Sequence, residues 1–365
     1  MFKLKKRRIS YVRIIGVALL LMVLIWGCDS LRRVTVKQNS DEALQKCIKK
    51  GKGEQVQISD ESQSSDEQDS YKAAEESYDS VVKNKADLSV GSLTLVNRDH
   101  EFVFPENEDG LVKMADNTNR DHYKLAYLTY LLDPEALSAL NNMMKDFHSV
   151  HESNDVTVYE AYKSHSAQND SYSAPAEGTE ILSGDNNLPA GFSEHHTGYA
   201  VDFILVDSAS NIRKFDGTGD YEWFKKNCFK YGFILRYPEH KEESTHMAYQ
   251  PAHFRYVGIP HSYIMNENDY SLEEYISELK KYQVSGEHLT YSLYSYDYEI
   301  YYVKSTGDST SVPVLSDTDK KVVVSGNNED GFIVTVTSKK ETEEQVTTSA
   351  VTNAAVTESI SATAN

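Results

Sequence analysis

Three short stretches of the chain gather histidine among acids, amides and small residues: 193–202 (SEHHTGYAVD), 250–256 (QPAHFRY) and 162–168 (YKSHSAQ). His195 and Asp202 are seven residues apart, and Gly198 between them permits a sharp bend. Asp202 falls inside an apolar strand candidate, 200–205, where a lone acid needs a reason. With His253 as a third donor, the set would be two imidazole nitrogens and one carboxylate oxygen. Three such ligands with a fourth position left to water is the pattern of catalytic rather than structural zinc. The spacing alone fits equally a solvated His195 and an Asp202 that caps a turn.

Elements of both kinds must position these residues. Residues 132–147 carry apolar side chains at helical spacing behind an acidic first turn, and 221–231 is a second helix candidate holding Trp223, Phe224, Cys228 and Phe229. A third, Leu272–Leu279, is opened by Ser271 with Glu274 three residues later, a capping box. Strand signals lie at 156–158, 200–205 and 232–235. Beyond 286 the pattern changes to period two. Tyr294, Tyr296, Tyr298, Ile300 and Tyr302 alternate, and 322–324 and 332–336 flank the turn-rich SGNNEDG. The expected fold is α+β: a small central antiparallel sheet flanked by helices holding a zinc site, followed by a small all-β appendage. The tyrosine face could bind a glycan or peptide, but packing against its neighbour is the stronger expectation.

The string SEHHTGYAVDF resembles the Ser-x-His-x-x-Gly-x-Ala-x-Asp motif of the VanY-type zinc D-alanyl-D-alanine carboxypeptidases. QPAHFRYVG is similar to that family's Glu-x-Trp-His block and YKSHSAQ to its Tyr-Arg-Ser-x-x-x-Gln block. LTLVNRDHEF, YGFILRYP and IPHSYIMNENDYSLEEYI extend the likeness over residues 93–279. The resemblance implies zinc on His195, Asp202 and His253, and Ser193 and Gln168 against the peptide. Lys163 stands where the family's arginine grips the substrate's terminal carboxylate, Gln250 where its general-base glutamate stands, and Ala252 where its tryptophan stands.

Each departure has a chemical consequence. An amide cannot accept a proton near neutral pH, although it can hydrogen-bond to water. Lysine keeps the charge but loses the bidentate fork that fits a carboxylate. Alanine removes an aromatic wall. The implied activity is removal of the terminal D-amino acid from peptidoglycan stem peptides. The alternative is a degenerate module that holds zinc and wall peptide without turnover. Glu194, Glu242 and Glu243 are candidates to replace the missing base, but are expected to be ordinary solvated charges.

Charge and composition place this region in context. The 365 residues carry 37 basic and 56 acidic side chains, a net charge of −19. Residues 1–27 hold six basic side chains and no acid, which leaves 31 basic and 56 acidic beyond them. Nucleic acid is therefore not an expected partner. The basic start and the thirteen-residue apolar run at 14–26 read as an export signal, because a spanning helix needs about 20 apolar residues. The run ends in Gly27-Cys28, which is similar to a bacterial lipoprotein box with Cys28 as the lipidation site; an uncleaved signal-anchor is the other reading. Either places the body on the extracellular face of the bacterial cytoplasmic membrane, tethered by lipid or helix. Residues 60–80 hold eight acids and no Leu, Ile, Val, Phe or Met, so 29–90 reads as a disordered acidic linker. The expected organisation is 1–28 signal, 29–90 linker, 91–285 carboxypeptidase-like domain, 286–340 β appendage and 341–365 disordered tail. Three cysteines imply no disulfide scaffold, with Cys228 read as buried on a helix.

Overall fold

A computed structural model describes residues 78–104, 110–173 and 188–340. The signal segment with Cys28, the linker as far as residue 77 and the tail at 341–365 lie outside the described residues. No helix among the described residues is long and apolar enough to cross a membrane.

The central sheet has six strands. β3 (Lys124–Leu125), β5 (Val156–Glu160), β6 (Ala200–Val206), β9 (Gln250–Tyr256) and β8 (Phe233–Tyr237) lie side by side in that order, and β7 (Ile212–Lys214) pairs with β6. All pairings are antiparallel except β3 with β5. A short ladder joins β2 (Val112–Lys113) to β4 (Leu131–Leu132). Among the described residues, the helices of six residues or more are α1 (Pro134–His151), α2 (His165–Ser173), α3 (Glu222–Asn227), α4 (His261–Asn268) and α5 (Leu272–Leu279).

Local chemistry sets the helix ends. Asp133 caps α1 by accepting from the amides of Glu135 and Ala136 at 2.8 and 3.1 Å, with Pro134 at the first turn where its missing N–H costs nothing. The Ser271–Glu274 capping box of α5 forms as expected, with both reciprocal bonds present. The helix expected over 221–231 instead breaks at Asn227 and continues as a 3₁₀ turn through Cys228 to Tyr231, closed by Gly232 in the left-handed region. Cys228 is buried there, and burial pushes its thiol up to about 12.

The sheet separates two cores. Val201, Phe203 and Leu205 of β6, with Val156 and Val158 of β5, meet Leu137, Leu140, Met144 and Phe147 of α1. Phe233 and Leu235 of β8 join this first core, whereas Ile234 joins the second. Period-two alternation therefore turns Asp202, between Val201 and Phe203, away from α1, and does the same to His253 and Arg255 on either side of Phe254. The lone acid in an apolar strand faces the second side of the sheet.

The appendage is an antiparallel sheet ordered β10 (Leu289–Leu293), β11 (Tyr296–Lys304), β14 (Gly331–Lys339) and β13 (Lys321–Gly326). One expectation is corrected. The reading of 29–90 as a disordered linker fails at its end: β1 (Tyr78–Asn84) pairs along its whole length with β12 (Ser309–Leu315), and a 3₁₀ turn follows at Lys85–Ser89. The low apolar content that suggested disorder is no obstacle, because the ladder is closed by backbone bonds and most of the β1 side chains stay exposed. The appendage also shares a core with the sheet domain. Ile300, Tyr302 and Ile333 pack with Leu93, Leu95, Ile264, Leu272, Tyr275 and Ile276. Tyr298 and Tyr302 are buried, as packing requires, while Tyr296 at the start of β11 and Tyr294 in the turn before it stay exposed.

Ile300 is fully buried in that shared core. Replacing it by alanine should cost about 2–5 kcal/mol in urea unfolding. Circular dichroism and tyrosine fluorescence should report one coincident transition; two separate transitions would contradict a shared core.

Candidate metal centre

The site is assembled from one turn and two strands. Ser193 Oγ accepts from the His195 amide and caps a 3₁₀ turn, Glu194–Thr197, which ends at Gly198 in the left-handed region. A Cβ at Gly198 would stand 2.6 Å from the tip of the Leu111 side chain, which can turn aside, so it is the left-handed backbone that calls for glycine there. The turn delivers His195 to β6. Asp202 and His253 are direct cross-strand partners on β6 and β9.

The three side chains converge as the sequence suggested. His195 Nε2 lies 3.5 Å from Asp202 Oδ2, and His253 Nδ1 lies 2.7 Å from Asp202 Oδ1. One donor atom from each lies within 4.8 Å of the others, and all three residues are buried. The imidazoles stand nearly perpendicular, with centroids 5.2 Å apart. A solvated His195 beside a capping Asp202 is thereby set aside. Burial opposes the charge on Asp202, but His253 and His195 outweigh it and hold the carboxyl far below its usual range. Two imidazoles and an ionised carboxylate, converging and shielded from water, fit a divalent zinc ion.

The neighbouring Glu194 is the residue that the sequence reading misjudged. Expected to be solvated, it is fully buried and paired. Arg236 Nε donates to its Oε1 at 2.8 Å, Arg255 Nη1 lies 3.0 Å from the same oxygen, and His253 Nε2 lies 3.3 Å from Oε2. Burial pushes the Glu194 carboxyl up; the two guanidiniums and the His253 contact more than reverse this and hold it ionised. Glu194 is occupied as a counter-ion and is not available as a base. Of the other two candidates, Glu242 accepts from the Tyr249 amide at 3.0 Å and Glu243 is exposed.

The remaining expected residues surround this centre. Lys163 Nζ pairs with Glu160 Oε1 at 2.8 Å. Gln168 is buried and donates from Nε2 to the Leu188 carbonyl at 2.7 Å. Ser193, also buried, serves the turn that carries His195. Gln250 opens β9 opposite Tyr237, three residues before His253, and its buried Oε1 has no hydrogen-bond partner among the described residues. Ala252 packs against the first core. His196, which the reading left unassigned, accepts from the Gly191 amide at Nε2. Its Nδ1–H therefore donates to the Lys163 carbonyl at 2.8 Å and ties the Lys163 segment to the metal turn. Arg236 and Arg255 were missed as well. The available signal was a cation inside each apolar run, FILRY and HFRY, since a buried arginine demands a buried acid.

Residues 129–259 match the family model described as VanY: D-alanyl-D-alanine carboxypeptidase. A D-alanyl-D-alanine carboxypeptidase of Enterococcus faecium is 43% identical over 150 residues, which are 41% of this chain and 45% of that protein. The chain thus spans less than half the length of that relative. The bifunctional D-Ala-D-Ala dipeptidase and carboxypeptidase VanXYC of Enterococcus gallinarum is 30% identical over 191 residues, 51% of this chain and 94% of that protein. Among solved structures, the vancomycin-resistance D,D-dipeptidase VanXYg in complex with a D-Ala-D-Ala phosphinate analogue superposes with a TM-score of 0.59 at 29% identity, covering 71% of this chain and 99% of that one.

Glu194→Gln should cost about 3–5 kcal/mol, because it strips two buried guanidiniums of their counter-charge. The loss should depend on pH with a definite sign. The folded Glu194 carboxyl titrates below its ordinary value of 4.5, so its contribution is complete above that pH and is lost on acidification. Chemical denaturation of both proteins should show the full stability gap at pH 7 and a shrinking gap below pH 4.5. A gap independent of pH would contradict the ionised pairing.

Proposed function

Because this chain belongs to the VanY family of D-alanyl-D-alanine carboxypeptidases, we propose that it is a zinc-dependent carboxypeptidase that removes the terminal D-alanine from peptidoglycan stem peptides. The observation that carries this reading is the buried convergence of His195, Asp202 and His253. Those three residues would hold the ion. Zinc in that position polarises a scissile carbonyl and makes a bound water more acidic.

The chain's own residues supply the rest. Glu194 lies against Nε2 of His253 and so turns the ring's Nδ1 toward Asp202, where an ion would be held. Lys163, whose backbone amide donates to the His195 carbonyl, would meet the substrate's terminal carboxylate, which must compete with Glu160 for it. Gln250 Oε1 is a buried acceptor that a water or a peptide N–H can satisfy. Ser193 and Gln168 shape the walls where the peptide lies. The segment before Cys28 supports a tether, by lipid on Cys28 or by a signal-anchor, that would hold the domain on the outer face of the cytoplasmic membrane.

One observation favours a second reading, a zinc- and wall-peptide-binding module without turnover. Gln250 cannot take a proton from water, and Glu194 is tied up in ion pairs.

The full-length chain, incubated with a pentapeptide ending in D-Ala-D-Ala, should release free D-alanine slowly by mass spectrometry and stop on chelation. Gln250→Glu should accelerate release roughly 10²–10⁴-fold. Release by Gln250→Glu alone would establish the binding module instead; a native chain that takes up no zinc would overturn both readings. Lipid labelling that disappears in Cys28→Ser would support the lipid tether, and no labelling of the native chain would overturn it.

A further inference from the structure

Lys163, the residue placed against the substrate's terminal carboxylate, already holds a carboxylate of its own chain. Its Nζ lies 2.8 Å from Glu160 Oε1, and both side chains are largely buried. The other oxygen of that carboxylate, Oε2, lies 3.6 Å from His195 Nε2. Glu160 reaches this place because β5 bulges between Val158 and Glu160, which brings Glu160 opposite Asp202 and re-aims its side chain. One carboxylate thus stands between the Lys163 ammonium and the His195 imidazole. The neighbouring arginines offer a substrate no alternative: Arg236 and Arg255 are fully buried and held by Glu194.

A free peptide terminus brings a second carboxylate to a subsite whose charge is already balanced. To pair with Lys163 it must displace Glu160 or lie beside it, and like charges so close oppose each other. A terminal amide meets no such opposition. Its C=O can accept from the Lys163 ammonium while its N–H donates to Glu160.

We infer that Glu160 is a specificity-determining residue: it stands on Lys163 in place of a substrate's terminal carboxylate and turns this subsite toward peptides whose last carbonyl belongs to an uncharged amide. The inference rests on the wall-peptide reading of the site and deepens it by naming the terminus that the site takes. A capped end and a chain that continues through a peptide bond present the same C=O and N–H, so both fall in the class. Glu160 and Lys163 then act together on one property, the choice between charged and uncharged ends, which a merely structural ion pair would not set.

The test is a ratio of affinities, measured by isothermal titration calorimetry on the zinc-loaded full-length chain. The probes are one pentapeptide ending in D-Ala-D-Ala as the free acid, the same peptide as its terminal amide, and the same peptide extended by glycinamide. The native chain should bind the amide at least as tightly as the acid. Glu160→Gln should raise the amide-to-acid ratio of Kd values by roughly 10–100-fold, the worth of one hydrogen bond to a charged group. Lys163→Met added to Glu160→Gln should abolish that rise. A Glu160→Gln ratio within about twofold of the native one would overturn the inference. So would a native chain that binds the acid at least about 10-fold more tightly than the amide, a result that decides even where Glu160→Gln does not fold. Given the amide preference, equal binding of the glycinamide peptide supports a subsite open to continuing chains, and weaker binding supports one confined to capped ends. A native chain that binds none of the three peptides removes the wall-peptide reading itself, and this inference with it.

Discussion

The burial of Glu194 is the constraint from which the rest of the centre follows. An isolated carboxylate in that position would be driven to its neutral form, since burying an ion costs several kcal/mol. It stays charged because Arg236 and Arg255 are buried with it. Those guanidiniums need partners in turn. Arg236 makes a bidentate pair with Glu273 on α5, at 2.9 and 2.6 Å, and Arg255 donates to the carbonyls of Ser92 and Thr94. Two acids and two bases thus balance inside the protein. They join the metal turn, β8, β9, α5 and the segment entering the domain into one electrostatic unit.

That unit decides how the three candidate ligands are oriented. His253 has two ring nitrogens; with Nε2 turned to Glu194, Nδ1 is the one facing Asp202. A ring fixed from behind keeps its donor atom aimed where an ion would sit. The same bond removes Glu194 from the set of possible bases, although it is adjacent in sequence to His195. Proximity along the chain is a poor guide to function here, because the residue beside a ligand was recruited to orient a different ligand. The substitution at Gln250 therefore has no remedy in Glu194.

How much of this was legible in the sequence depended on how far apart the partners lie. The capping box at Ser271 and Glu274 spans three residues and formed as read. The pattern His195–Gly198–Asp202 encodes a turn feeding a strand, and its geometry was legible for the same reason. His253 lies 51 residues from Asp202; the residue types of its stretch made it a candidate, and the likeness of that stretch to a known motif assigned it. By contrast, Glu194 and Arg236 are 42 residues apart, and nothing in either local pattern names the other. The role of Glu194 was misread because exposure is the ordinary fate of a glutamate, and its burial follows from two arginines on separate strands. Strand β1 was missed for a related reason. Its side chains are mostly exposed and carry no alternation, Val81 and Val82 standing side by side, and its partner β12 lies more than 200 residues further on.

The appendage belongs to this same system of supports. The segment that offers its Ser92 and Thr94 carbonyls to Arg255 is itself held from the other side by β13 and the turn that follows. The Leu93 amide donates to Ser325 Oγ, the Gly326 amide to the Val90 carbonyl, and Asn328 Nδ2 to the Leu95 and Glu101 carbonyls. Gly326 approaches the backbone of Asp87 and Leu88 so closely that a side chain there would collide with their carbonyls. A second connection runs through His261, whose ring bridges the Tyr275 hydroxyl on α5 and Thr335 Oγ1 on β14; burial pushes this imidazole down to about 3, so it sits there neutral. Arg255 is caged by carbonyls that the appendage fixes in place, and Arg255 in turn keeps Glu194 charged behind His253. The β appendage is therefore a buttress of the metal centre whether or not its exposed tyrosines bind anything, and its removal would loosen His253 through three successive contacts.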